Sequence, residues 1–93
     1  MDPVRLQFDF QELQHFPDQM FYVYVIVSLS TTGRYYIGFT TDVEQRLSGH
    51  NAGKNPSTSR FAPWTVAAVV SFPSKLKALS FERYLKGALV EHS

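Results

Sequence analysis

A nearly unbroken apolar run from Met20 to Ser28 is followed closely by a second extended segment, Arg34 to Thr40, with Ser30-Thr31-Thr32-Gly33 between them. The first run is dense in β-branched and aromatic residues, as a central strand covered on both faces must be. It is far too short to span a bilayer, which takes roughly 20 apolar residues. The intervening residues are turn formers, so the pair predicts an antiparallel hairpin. A two-stranded hairpin is marginal alone in water, so the remaining chain must supply a further strand and helices to cover it.

Thr41-Asp42-Val43-Glu44 has the form of a capping box, with Thr41 at the N-cap and Glu44 three residues on. It predicts a helix running to about Asn51 and ending before Gly53. Residues 52–63 are rich in Gly, Asn, Pro, Ser and Thr and predict a loop closed by Ala62-Pro63. Trp64 to Phe72 is a second apolar, β-branched run and predicts a third strand. Pro73 ends it, Ser74 is a natural N-cap, and a helix follows from Lys75 to about Val90. The expected fold class is α/β (α+β): a small, mainly antiparallel three-stranded sheet flanked by helices, in the order β-β-α-β-α.

The chain of 93 residues is the size of one small domain. An apolar fraction of 44% and an aromatic fraction of 15% suit a packed core rather than a disordered segment. With no cysteine, disulfides and thiolate metal sites are excluded, and His15, His50 and His92 do not have zinc-ligand spacing. Residues 1–19 carry a balance of −3 and residues 20–93 a balance of +4, so an acidic N-terminal arm leads into a moderately basic domain. Leu6, Phe8 and Phe10 alternate within that arm, and Phe16-Pro17-Asp18 closes it. No charged leader precedes a long apolar run, which makes a cytoplasmic location the default expectation.

Several residues fit no purely structural need. On the second helix, Ala78, Phe81, Leu85 and Leu89 form an apolar stripe, and Glu82 falls among them. A carboxylate facing a core costs several kcal/mol unless it is paired, protonated or metal-bound; the bland alternative is a stripe-edge side chain reaching water. Arg46 and His50 are four apart and share a helix face beside Val43 and Leu47. Tyr22 and Tyr24 project from one face of the first strand, and Tyr36 and Gly38 share a face of the second. A turn from Leu29 to Gly33 would set Tyr24 across from Gly38, whereas a turn one residue shorter would not. The glycines are not a P-loop, because no Gly-Lys-Ser/Thr follows a strand.

From about Phe21 to Lys86 this set resembles the GIY-YIG nuclease family, with Tyr22-Val23-Tyr24 and Tyr36-Ile37-Gly38 in place of the two tripeptides. The loop His50-Asn51-Ala52-Gly53-Lys54, then Ser57-Thr58-Ser59-Arg60 and Pro63-Trp64, resembles the short stand-alone branch; the domain is also similar to the N-terminal nuclease domain of the excinuclease C subunit. The resemblance implies catalytic roles for Tyr24, Tyr36, Arg46 and His50, and makes Glu82 the ligand of Mg²⁺ or Mn²⁺. A phenol of ordinary pKa about 10 is a poor base, so Arg46, His50 and the metal together are expected to pull that of Tyr24 down. Lys54, Thr58 and Arg60 are expected to contact phosphates, which position nucleic acid without reading sequence.

The implied activity is metal-dependent endonucleolytic hydrolysis of phosphodiester bonds in DNA, in repair or recombination. One such site cuts one strand, so a double-strand break would need a homodimer or two events. Two departures from the family pattern stand out. Tyr22 replaces the naming glycine, and the chain stops at Val90-Glu91-His92-Ser93 where relatives often carry further basic residues. The rival expectation is a nucleic-acid-binding or adaptor module that keeps the fold without turnover. An acidic arm folded over the basic face is compatible with either.

Overall fold

The hairpin forms as expected. In the computed structural model, which describes residues 19–91, β1 (Phe21–Ser28) pairs antiparallel with β2 (Tyr35–Thr40). The anticipated arm, with Leu6, Phe8 and Phe10, lies outside the described residues apart from Gln19. The turn closes through Ser28 N–H to the Arg34 carbonyl at 2.9 Å, while the Ser28 hydroxyl accepts from the amides of Ser30 and Thr31. Gly33 sits at φ 83°, the left-handed region that a side chain would disfavour. This longer turn selects the register in which Tyr24 faces Gly38.

β3 (Trp64–Phe72) pairs antiparallel with the other side of β1, giving the strand order β2-β1-β3. The helices are α1 (Val43–Asn51) and α2 (Lys75–Glu91), and a short 3₁₀ turn (Ser59–Phe61) lies in the loop before β3. The β-β-α-β-α order is therefore that expected from the residues.

The two sheet faces hold different cores. On one, Val23 and Ile37 meet Ala78, with Phe81, Leu85 and Leu89 packed around them, so the α2 stripe is buried where its periodicity places it. On the other, Tyr24, Ile26 and Trp64 are buried with Tyr36, Leu47 and Phe61 against them. This second face, roofed by α1 and the following loop, carries the polar groups.

Both helices start on side-chain caps. The Ser74 hydroxyl accepts from Lys77 N–H, as expected. At α1 the cap is Asp42 rather than Thr41: its carboxylate accepts from Gln45 N–H at 3.1 Å. The reason lies one residue upstream, where the buried Thr40 hydroxyl accepts from Asp42 N–H at 3.0 Å and extends the turn to Asp42. Asp42-x-x-Gln45 satisfies the same cap rule as Thr41-x-x-Glu44, so both frames were open.

Candidate active site

Tyr24 is a buried tyrosine on the central strand, and its ring needs somewhere to go. Gly38 provides the space: a Cβ at that position would come 2.4 Å from Tyr24 Cζ and Oη. The ring therefore crosses the neighbouring strand, where the phenol meets His50 Nε2 at 2.9 Å. Tyr36 closes the cluster, with its ring centre 4.8 Å from that of His50 and 6.3 Å from that of Tyr24. One turn before His50, the Arg46 guanidinium lies 5.9 Å from the Tyr24 ring centre, within cation–π range. Tyr24, Tyr36, Arg46 and His50 thus converge, although they come from two strands and a helix.

His50 is 2% exposed and is engaged at both ring nitrogens. Its Nδ1 lies 2.8 Å from the hydroxyl of Thr58, a residue the sequence places among surface phosphate contacts. That expectation is corrected here. Thr58 is 2% exposed, turned inward, and its backbone carbonyl accepts from Trp64 Nε1 at 3.0 Å. Asn51 grips the same tryptophan from α1: its side-chain amide donates to the Trp64 carbonyl and accepts from Trp64 N–H. These ties fold the loop back onto α1. Lys54 and Arg60 remain exposed, Arg60 with its guanidinium 5.4 Å from the Phe61 ring centre. A cleft of about 550 Å³ opens beside the cluster, lined by Gln45, Arg46, Gly49, His50, Lys54 and Asn55 among others.

Burial governs the ionisation of the pair. The Tyr24 phenol is pushed up to about 12, first by loss of solvent; Arg46 pulls the other way without prevailing, and Tyr36 and Glu82 add to the rise. Arg46 does not by itself bring about the downward shift expected of Arg46, His50 and the metal together. His50 is lowered from its ordinary value, again by burial first and then by the Arg46 charge. Tyr24 and His50 are accordingly both neutral at neutral pH.

Glu82 approaches from α2, and its carboxylate is near enough for its charge to act on the Tyr24 phenol. Its side chain is 18% exposed and pairs with Lys86 at 3.2 Å, one helical turn on. It is thus neither a core charge without a partner nor a freely solvated one. No group of three His, Cys, Asp or Glu side chains is assembled for a metal among the described residues. A lone carboxylate of this kind fits a hard cation that keeps most of its waters and takes further oxygens from a phosphate.

The GIY-YIG catalytic domain matches residues 20–91. The chain belongs to the GIY-YIG family. It is 41% identical over 68 residues to a UPF0213 protein of Halobacterium salinarum, covering 72% of this chain and 86% of that protein. A UPF0213 protein of Streptococcus pneumoniae is 40% identical over 70 residues, covering 74% and 69%. The human structure-specific endonuclease subunit SLX1 is 38% identical over 73 residues, covering 71% of this chain and 26% of the relative. The chain thus spans about a quarter of that human nuclease subunit. The likeness is to UPF0213 proteins and SLX1 subunits, not specifically to the excinuclease C subunit. No helix among the described residues is long and apolar enough to cross a membrane.

Proposed function

We propose that this domain is a metal-dependent endonuclease that hydrolyses phosphodiester bonds in DNA. The observation that carries the reading is the Tyr24–His50 hydrogen bond beneath Arg46, at the side of an open cleft. Membership of the GIY-YIG family and the likeness to the structure-specific endonuclease subunit SLX1 support it.

In this reading a water beside the Tyr24 hydroxyl attacks phosphorus. As the water loses a proton to Tyr24 Oη, the phenol passes its own proton to His50 Nε2, so no free phenolate is needed despite the raised pKa. The P–O bond to the departing sugar oxygen breaks, and that oxygen takes a proton from solvent. Arg46 offsets charge on the non-bridging oxygens, and its rigid fork suits a phosphate. Tyr36 packs on His50 and holds the rings in place. Glu82 would hold Mg²⁺ or Mn²⁺, which supplies charge neutralisation at the departing oxygen when bound. Lys54 and Arg60 lie on the loop, where they meet the flanking backbone.

The rival reading, a binding module without turnover, predicts affinity alone. Nicking of supercoiled and branched DNA, with and without Mg²⁺, separates the two. The nuclease reading expects Mg²⁺-dependent cleavage that Arg46→Ala reduces by roughly 10²-fold with little loss of affinity. Binding without cleavage under any divalent metal would favour the module.

A further inference from the structure

The loop residue Thr58 is 2% exposed, and its hydroxyl lies 2.8 Å from His50 Nδ1. We propose that Thr58 is the positioning residue that fixes the His50 tautomer, keeping the proton on Nδ1 so that Nε2 is free to receive the Tyr24 proton. The proposal rests on the nuclease reading for its catalytic consequence, but not for the tautomer itself.

A neutral imidazole carries one N–H and one lone pair, and the neighbours decide which nitrogen holds which. At Nε2 the neighbour is the Tyr24 hydroxyl, 2.9 Å away, which can either donate or accept. At Nδ1 it is the Thr58 hydroxyl, 2.8 Å away, also able to do either. Those two contacts alone leave the proton undecided. A third contact favours one answer: Thr58 Oγ1 also lies 3.4 Å from the Asn55 carbonyl, the long back-bond of a hydroxyl to the carbonyl three residues earlier, and a carbonyl can only accept. With the threonine's single proton turned to that carbonyl, its oxygen accepts from His50 Nδ1–H. Nε2 is then a lone pair, and Tyr24 must donate to it. The order runs Tyr24 O–H to His50 Nε2, His50 Nδ1–H to Thr58 Oγ1, and Thr58 O–H to the Asn55 carbonyl.

The scaffold around Thr58 holds this direction. Thr58 N–H donates to the same Asn55 carbonyl at 3.1 Å, and Trp64 Nε1 donates to the Thr58 carbonyl. Both Thr58 and His50 are 2% exposed, which leaves water little access to substitute for the hydroxyl. The opposite tautomer would set His50 Nε2–H against the Tyr24 hydroxyl, and the relay from phenol to imidazole would have no acceptor. Here a threonine does for a histidine what a carboxylate or carbonyl commonly does: it selects the nitrogen that reacts.

The test is ¹⁵N NMR of the imidazole in the full chain, as wild type, Thr58→Val and Thr58→Ser, together with single-turnover nicking. Wild type is expected to show a protonated, pyrrole-type Nδ1 and a pyridine-type Nε2 for His50. Thr58→Val, which keeps the shape but loses the hydroxyl, should shift toward the opposite or a mixed tautomer. Its single-turnover rate should fall about 10- to 100-fold with DNA affinity unchanged, the scale on which orienting partners of histidine act. Thr58→Ser should restore both. A wild-type His50 protonated on Nε2 would overturn the proposal even if no variant could be folded. So would a Thr58→Val protein with an unchanged tautomer. Absence of cleavage in wild type with the expected tautomer would instead sink the nuclease reading and leave the assignment of the proton standing.

Discussion

Tyr24 and Gly38 face each other across β1 and β2, and the glycine's missing side chain is filled by the tyrosine ring. The phenol can reach His50 only because that ring lies over Gly38 instead of standing upright from its own strand. Gly38→Ala therefore should do more than crowd a core. The added methyl would push the ring away and stretch its bond to His50, at an overpacking cost of about 1–3 kcal/mol. Denaturant unfolding should register that loss, and nicking should fall further than the loss of folded protein explains. An alanine variant with unchanged stability and rate would show that the ring has another seat.

Arg46 acts on both members of the pair, lowering the pKa of the phenol and of the imidazole. Arg46→Ala should therefore raise the His50 pKa while reducing the nicking rate. An NMR titration of the His50 ring in the two proteins checks the electrostatic part without reference to activity. A His50 pKa that stays put or falls in the variant would contradict the placement of the guanidinium.

The pH dependence has a definite sign. His50 is depressed in the folded state, so the unfolded chain binds more protons as pH falls toward and below its ordinary value near 6.5. Its contribution to stability is present above that value and is lost as pH falls through the folded pKa. Tyr24 is shifted the other way: its contribution is complete below pH 10 and is lost as pH rises through about 12. Stability measured across pH should thus fall on the acid side more weakly in His50→Gln than in wild type. Activity should rise with pH through the depressed His50 pKa and be at its plateau by neutrality. An activity plateau reached only well above pH 7 would contradict a neutral imidazole acceptor.

Glu82 pairs with Lys86, and a cation would have to compete for the same carboxylate. Lys86→Met should lower the Mg²⁺ concentration needed for half-maximal nicking, whereas Glu82→Gln should abolish the Mg²⁺-dependent rate. The ion pair joins residues one turn apart and Lys86 is well exposed, so stability should change by less than about 1 kcal/mol in either variant. Full cleavage by Glu82→Gln would remove this glutamate from the metal site.

Much of this was legible from residue order. The strand limits followed from apolar runs bounded by turn residues, and the α2 stripe of Ala78, Phe81, Leu85 and Leu89 was readable as a core face because helical periodicity is local. The convergence of Tyr24, Tyr36, Arg46 and His50 followed from the family pattern once the register was settled, and register depends on a turn whose length the residues left open. Thr58 was misread for a different reason. A threonine among Asn, Pro and Ser looks like a surface residue, and only the grip of Asn51 and Trp64 on the loop turns it inward. The direction of the Tyr24 shift was also hidden, since the depth of burial that outweighs the pull of Arg46 is not visible in residue order. Asp42 displaced Thr41 as the cap because two overlapping frames satisfied the same rule.

The most direct test of the account is single-turnover nicking of supercoiled DNA in Mg²⁺ by wild type and Tyr24→Phe, with affinity measured in parallel. The phenylalanine keeps the ring over Gly38 and removes only the hydroxyl that, in the proposed mechanism, links the attacking water to His50. The account predicts Mg²⁺-dependent cleavage by wild type, a loss of roughly 10²-fold or more in the variant, and nearly equal DNA binding. Cleavage by Tyr24→Phe at the wild-type rate would contradict it.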